Sequence, residues 1–477
     1  MRVNDLNLVV VMLVGMLLFS TPFIYVVFDF AENGSVFALL AKYPARIDVL
    51  DVVLPYLEVV KRTASILALL VPLLIFGIPL ARRAVSVAFV LLSLTAAGWG
   101  QPLTIQPVAS PAGSGSAEPF LFATKQSLLL TWLEPVAKTD RVALRFARYT
   151  GGTWSAPRTI AARSDFFVNW ADFPSIVEDA NGVLFAHWLQ KSGKSTYAYD
   201  VRMAASRDGG KTWSPSFLLN RDGKQNEHGF VSLAPLPGGG VGAAWLDGRN
   251  MPKGKEEGEM TVRYATVDAR GAIRSDVQLD DRTCECCATG MTLIGSDPVI
   301  VYRDRSADEL RDIAVVRRRA KKWTKPAVIH SDGWKIAGCP VNGPQIDASG
   351  RALAVAWFTA ADNRQRVYVA FSDDAGRTFA EPVAVDDGRP VGRVDLVLLD
   401  ASLAFVTWIE QTAAGAEVRG RMVARNLPLQ PSIKIADSSA ARGAGFPRIA
   451  RLGHDLFVAW TEQTATDKRI RVARVTF

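Results

Sequence analysis

"FPSIVEDANGVLFAHWLQ", residues 173–190, reads as a β-hairpin. Apolar residues alternate on both sides of Asn181-Gly182, a dipeptide suited to a two-residue hairpin turn. The second strand of this hairpin carries Trp188, and close relatives of that strand recur along the chain. They are "LLLTWLE" (128–134), "VGAAWLDG" (241–248), "PVIVYRD" (298–304), "LAVAWFTA" (353–360), "LAFVTWIE" (403–410) and "LFVAWTEQ" (456–463). Their aromatic markers are Trp132, Trp188, Trp245, Tyr302, Trp357, Trp408 and Trp460, separated by 56, 57, 57, 55, 51 and 52 residues. Repeats of this length point to propeller blades or a solenoid array.

Each unit has room for four short strands. After the opening hairpin, "AYDVRMAASRDGGKTWSPSFLLN" (198–220) supplies two more, joined at "RDGGK". Alternation with period two gives each sheet buried faces. Seven such sheets around an axis leave only short edges exposed. The last unit ends at Phe477 after three strands, whereas "LTIQPVA" (103–109) stands before the first unit without a partner. The N-terminal strand is therefore expected to complete the last blade. The fold class predicted is mainly β, a seven-bladed propeller over residues 101–477. The alternatives are six blades, or an open solenoid with capped ends.

Residues 1–100 differ in kind. Residues 8–28 carry no charge and are long enough to cross a hydrocarbon core. Residues 63–81 and 84–100 form two further candidate spans around Arg82-Arg83, and residues 44–60 read as an interfacial or packed helix. Placing the arginine pair in the cytoplasm puts the propeller on the far side of the membrane. The expectation is an α-helical transmembrane region with three spans in a bacterial inner membrane, carrying a periplasmic or extracellular propeller. The spans show no clear acidic or histidine relay, which argues against transport.

"SRDGGKTW" (206–213) and "SDDAGRTF" (372–379) resemble the Asp box, Ser-x-Asp-x-Gly-x-x-Trp, of the sialidase-like BNR-repeat propellers. "YTGGTW", ending at Trp154, and "RRAKKW", ending at Trp323, look like degraded copies. The resemblance implies a box between the third and fourth strands of a blade, on the face away from any active site, with a structural role. It also implies what a sialidase would need: three arginines around a substrate carboxylate, a Tyr-Glu nucleophile pair and an aspartic acid. Arg249, Arg393 and Arg448 lie near expected blade entrances, and Tyr197 and Tyr199 qualify as nucleophiles by residue type. No segment matches the family's opening arginine motif; its place holds "VNWADFPSI", with Asp172.

The repeat register also gives the rarest residues an address. The chain has four cysteines and four histidines. First strands are expected near residues 173, 229, 288, 343, 393 and 446, lining the axis. His228 precedes one of these strands, Cys284, Cys286 and Cys287 in "DRTCECCATG" precede the next, and Cys339 precedes the one after. Three adjacent blades thus aim these residues at one rim. A Cys-x-Cys grip with an imidazole suits a thiophilic metal, copper or zinc, with His228, Cys284, Cys286, Cys287 and Cys339 as candidate ligands. The other reading is disulfides that staple neighbouring blades, which an exported compartment favours. Asp172, Asp247 and Arg249 are candidate ligand-binding residues at the same rim.

The expected function is that of a membrane-tethered, exported binding or assembly module, with a protein or glycan as ligand. The alternatives are a sialidase-like exo-glycosidase and a scaffold whose blades are stapled by disulfides; the sequence leaves open whether the protein is an enzyme. The basic run "RRRAKKWTK" (317–325) lacks aromatic interleaving and falls on a blade hairpin, which argues against nucleic acid.

Overall fold

The computed structural model describes residues 103–251, 259–464 and 466–477, together with Val59, Arg62 and Thr63. The chain divides into units Met1–Gly100 and Gln101–Phe477. The expected spans at 8–28 and 84–100, and all of 63–81 except Thr63, lie outside the described residues. Among those described, no helix is long and apolar enough to cross a membrane.

The second unit contains seven antiparallel sheets, and the six-bladed alternative falls. Their first strands are Ala117–Ala123, Ser175–Glu178, His228–Pro235, Gly290–Ile294, Gln345–Ser349, Pro390–Leu398 and Arg448–Leu452, numbered here as blades 1 to 7. Each first strand touches those of the blades before and after it, and the ring closes between blades 1 and 7. Strand Thr104–Val108 pairs antiparallel with Lys468–Thr476 and becomes the outermost strand of blade 7, as its unpartnered position predicts.

The repeated tryptophan strand is the second of each blade. Its pattern follows from being covered on both sides: Ala352–Thr359 is buried throughout its length. Seven apolar clusters form the core, each shared by two neighbouring blades. Buried indole N–H groups need acceptors, and in three blades the repeat supplies an acid two residues later. Trp132 donates to Glu134 at 2.9 Å, Trp245 to Asp247 at 2.8 Å and Trp408 to Glu410 at 2.6 Å.

Side chains near the axis clasp one blade to the next. Asp172 Oδ1 accepts from the Phe230 amide at 2.7 Å, Asn342 Oδ1 from the Arg393 amide at 2.6 Å, and Asp395 Oδ2 from the Ile449 amide at 2.9 Å. The Asp boxes fix their own turns at the other end of the blades. Asp208 Oδ1 accepts from the amides of Lys211 and Thr212 at 3.0 and 2.9 Å, and Asp374 repeats this with Arg377 and Thr378. Gly210 has φ +82°, and a Cβ there would meet Phe146 of blade 1 at 2.2 Å. Trp213 packs edge-on to the same ring at 6.0 Å. Both boxes lie between third and fourth strands, on the face opposite the blade-to-blade connections.

Candidate functional site

In a four-stranded antiparallel blade, the connection to the next blade and the loop between strands two and three share one face. The cysteines, His228 and Asp247 therefore occupy the same rim, as the register predicts. Two loops build the thiol cluster. In the first, Thr283 and Cys284 anchor on the carbonyl of Arg303, at 2.6 and 3.0 Å, fixing the turn that carries Cys284, Cys286 and Cys287. The second loop, residues 331–344, brings Cys339 from the blade 4–5 connection. Its close approach depends on Gly343, where a Cβ would stand 2.0 Å from the Ala288 carbonyl oxygen.

All four thiols are free. Cys284 Sγ lies 3.3 Å from Cys287 Sγ and 3.8 Å from Cys286 Sγ, and Cys286 and Cys339 influence each other's ionisation across the blade boundary. Cys284 and Cys287 are buried, Cys286 is half-buried and Cys339 is exposed. Cys284 and Cys287 also have Cys-x-x-Cys spacing, which the Cys-x-Cys reading overlooks.

Cations surround the sulfurs. Arg311 Nη1 sits 3.2 Å from Cys284 Sγ and 3.0 Å from Glu285, while its Nη2 reaches Glu309 at 2.8 Å. Arg305 pairs with both Glu285 and Glu309. Arg303 is fully buried, donates to the carbonyls of Arg311, Asn342 and Phe358, and lies 4.8 Å over the Trp334 ring. Burial works against ionisation of Cys284, but its contacts with the Cys286 and Cys287 thiols, together with Arg311, outweigh it and hold Cys284 well below the ordinary thiol range. Hydrogen bonding to Cys284, Cys287 and Cys339 pushes Cys286 up, and burial pushes Cys287 up. One thiolate among protonated thiols is the arrangement this favours.

The structure places His228 elsewhere. Its ring is fully buried, with Nδ1 3.1 Å from the Tyr199 carbonyl oxygen and Nε2 3.2 Å from Asp222 and 3.7 Å from Asp247. Burial alone would lower its pKa, but Asp222 and Asp247 raise it. Both nitrogens face acceptors, so neither lone pair is free for a metal held by the thiols. Asp247 is committed as well. It accepts from Trp245 and takes a bidentate pair from Arg249 at 2.7 and 2.7 Å. As a ligand-binding pair, Asp247 and Arg249 would first have to part.

Asp172 closes a buried polar chain that register alone could not reveal. Tyr199 Oη stands 3.1 Å from Asp172 Oδ2 and 2.9 Å from Glu227 Oε1. One hydroxyl proton cannot serve both, so a carboxyl must carry one too. Burial pushes Asp172 up to about 7 and Glu227 up to about 8, where Asp172, Cys339 and Glu285 add to the effect. Tyr199 is buried and stacks on Phe167 at 3.9 Å; Tyr197 is exposed.

The arginines expected of a sialidase are each taken up by partners within the protein, Arg249 by Asp247 as above. Arg393, in a left-handed conformation at φ +58°, donates to the carbonyls of Ala440, Ala441 and Gly445 beneath Trp170. Arg448 pairs with Asp395 at 3.2 Å between Phe120 and Phe173.

A family model, the BNR repeat-like domain, matches residues 137–458, more than half of the chain. No curated protein matches. Among solved structures, the chain is similar to the Hadza microbial sialidase Hz136, at 15% identity and TM-score 0.39, covering 62% of this chain and 63% of that one. It spans less than two thirds of that relative. It is also similar to the polysaccharide lyase Uly1 (9%, TM-score 0.48, 76% and 90%) and to the phage phi92 endosialidase (10%, TM-score 0.43, 79% and 69%).

Proposed function

The chain belongs to the BNR repeat-like family, and from that premise we propose that its sialidase-like propeller is a binding module holding one thiophilic metal ion, copper(I) or zinc, at Cys284, Cys286, Cys287 and Cys339. The observation that carries this reading is the convergence of three free sulfurs, Cys284, Cys286 and Cys287, within 4.8 Å of one another, beside the loop that carries Cys339. Tetrahedral thiolate ligands about 2.3 Å from zinc stand about 3.8 Å apart, and Cys284 and Cys286 are 3.8 Å apart. Arg303, Arg305 and Arg311 supply charge that offsets an anionic sulfur cluster. The charge-free stretch at residues 8–28 supports a membrane tether for this module.

Protein purified reduced and without oxygen is expected to retain, or to take up, one equivalent of copper(I) or zinc, measured by elemental analysis. C284S and C286S should each lower affinity by about tenfold or more. No stoichiometric metal under either condition would sink the reading.

One observation favours a second reading, exo-glycosidase activity: Tyr199 lies within hydrogen-bond reach of both Glu227 and Asp172, the residue types that such chemistry requires. Against it stand the burial of Tyr199 and the prior engagement of Arg249, Arg393 and Arg448. Release of a fluorogenic aglycone from a sialoside, abolished in Y199F, would establish this activity; its absence in the wild type would end it.

A further inference from the structure

We propose that the four cysteines form a thiol–disulfide relay, in which the exposed Cys339 takes oxidising equivalents from a small disulfide and passes them through Cys286 to a buried Cys284–Cys287 pair. The inference concerns the site of the metal reading and rests on the same thiols, but it does not require a bound ion.

The argument is one of distance and access. Cys284 and Cys287 Sγ are 3.3 Å apart, closer than the zinc-ligand edge and closer than either need be as separate core thiols. Disulfide sulfurs are about 2.05 Å apart, so a movement of little more than an ångström joins them. Yet these two sulfurs have 0% and 1% exposure, so no reagent reaches them directly. Cys286 is the only other described thiol within reach of the pair, 3.8 Å from Cys284. Cys339, the one exposed thiol of the four, rides on the loop that packs at Gly343 against Ala288, next to the turn bearing Cys286. The thiols therefore run from an exposed one, through a half-buried one, to a buried pair. Arg311, 3.2 Å from Cys284 Sγ, compensates negative charge at the sulfur that must attack Cys286.

The chemistry balances at each step. The Cys339 thiolate attacks a small disulfide, RSSR, forming a mixed disulfide and releasing one RS⁻, which takes up a proton. Cys286 attacks Cys339 sulfur, forming Cys286–Cys339 and expelling the second RS⁻. Cys284 then attacks Cys286, forming Cys284–Cys286 and returning Cys339 to the thiolate. Cys287 attacks Cys284, forming Cys284–Cys287 and freeing Cys286. The net change is oxidation of two protein thiols to one disulfide and reduction of RSSR to two RSH. A second RSSR then converts Cys286 and Cys339 to the outer disulfide. In the doubly oxidised protein no thiolate is left to hold a metal.

The test uses full-length protein, reduced and stripped with a chelator, then exposed to glutathione disulfide. Samples are quenched in acid, alkylated, weighed intact and mapped by peptide mass spectrometry. Free thiols should fall from four to two to none. The two-thiol species should accumulate Cys284–Cys287 with Cys286 and Cys339 free, and the final species should add Cys286–Cys339. C339S should slow the first disulfide by about tenfold or more, and C286S should trap glutathione on Cys339. Oxidation of C339S at the wild-type rate would overturn the relay. So would a final pairing of Cys339 with Cys284 or Cys287, or resistance of all four thiols. Failure of the metal reading appears separately, as absent metal in reduced protein whose thiol counts still follow this course.

Discussion

Glu227 illustrates how a residue's neighbours set its chemistry. It faces Tyr199 and Asp172, and burial pushes it up to about 8. An unfolded chain ionises the same group near 4.5. The native state therefore binds more protons between those values, and stability falls as pH rises from about 4.5 through about 8. Below the lower value the contribution is fully present; above the upper value it is lost. Glu227→Gln keeps an acceptor for Tyr199 but removes the titration. In reduced, metal-free protein, the stability of E227Q relative to wild type is expected to rise between pH 5 and pH 9, by on the order of a few kcal/mol. Thermal melts at the two pH values check it; an unchanged difference would show that Glu227 is ionised throughout. The sequence placed His228 and the cysteines on one rim but could not divide them into separate clusters. A repeat register fixes the backbone address, whereas partners such as Arg311 arrive from a loop between strands two and three with no motif of its own.

Elements were legible wherever a repeated pattern had a repeated physical cause. The Asp boxes, the second-strand tryptophans and six of the first strands lie where the alternation and turn residues put them. The Trp-x-acid spacing was equally open to reading, in "TWLE", "AWLD" and "TWIE", and marks Asp247 as an indole acceptor. The packing of one connection against another was not legible, because it depends on a glycine with no motif around it. Gly343 lets the loop bearing Cys339 lie against Ala288, beside the turn bearing Cys286. Gly343→Ala would set a methyl 2.0 Å from the Ala288 carbonyl oxygen, so the loops must separate. Without touching a sulfur, G343A is expected to weaken metal binding and to slow Cys286–Cys339 formation, each by about tenfold, roughly 1.4 kcal/mol. Stability should fall by about 1–3 kcal/mol. Metal titration and timed alkylation check the two effects; wild-type behaviour in both would mean that the two connections do not need this approach to bring the thiols together.

At the scale of the whole molecule, seven sheets act as one body only if the ring is closed, and closure rests on a short strand. Thr104–Val108 is five residues long and pairs with Val472–Thr476, so the blade that contains the C-terminus is completed from the N-terminal side. This was the most legible long-range feature, because a lone strand before the first repeat and a missing strand after the last can satisfy each other's backbone groups. The closing strand is half exposed, and Ile105 and Leu103 pack only partly against the cluster shared by blades 6 and 7. Its contribution therefore comes mainly from backbone pairing. Deleting residues 104–108 leaves Lys468–Thr476 as a bare edge, open to pairing with another chain. The loss is expected to be several kcal/mol, at roughly 1 kcal/mol for each backbone hydrogen bond removed. The denaturation midpoint should drop and light scattering should rise with protein concentration. The thiol cluster, in blades 3 to 5, lies across the ring from the closure. If the blades unfold as one unit, the deletion should also raise the alkylation rate of buried Cys284 and Cys287 in step with the lost stability. If those two thiols stay protected while blade 7 opens, the propeller is a set of blades stabilised by their neighbours, and the site depends only on the blades that build it.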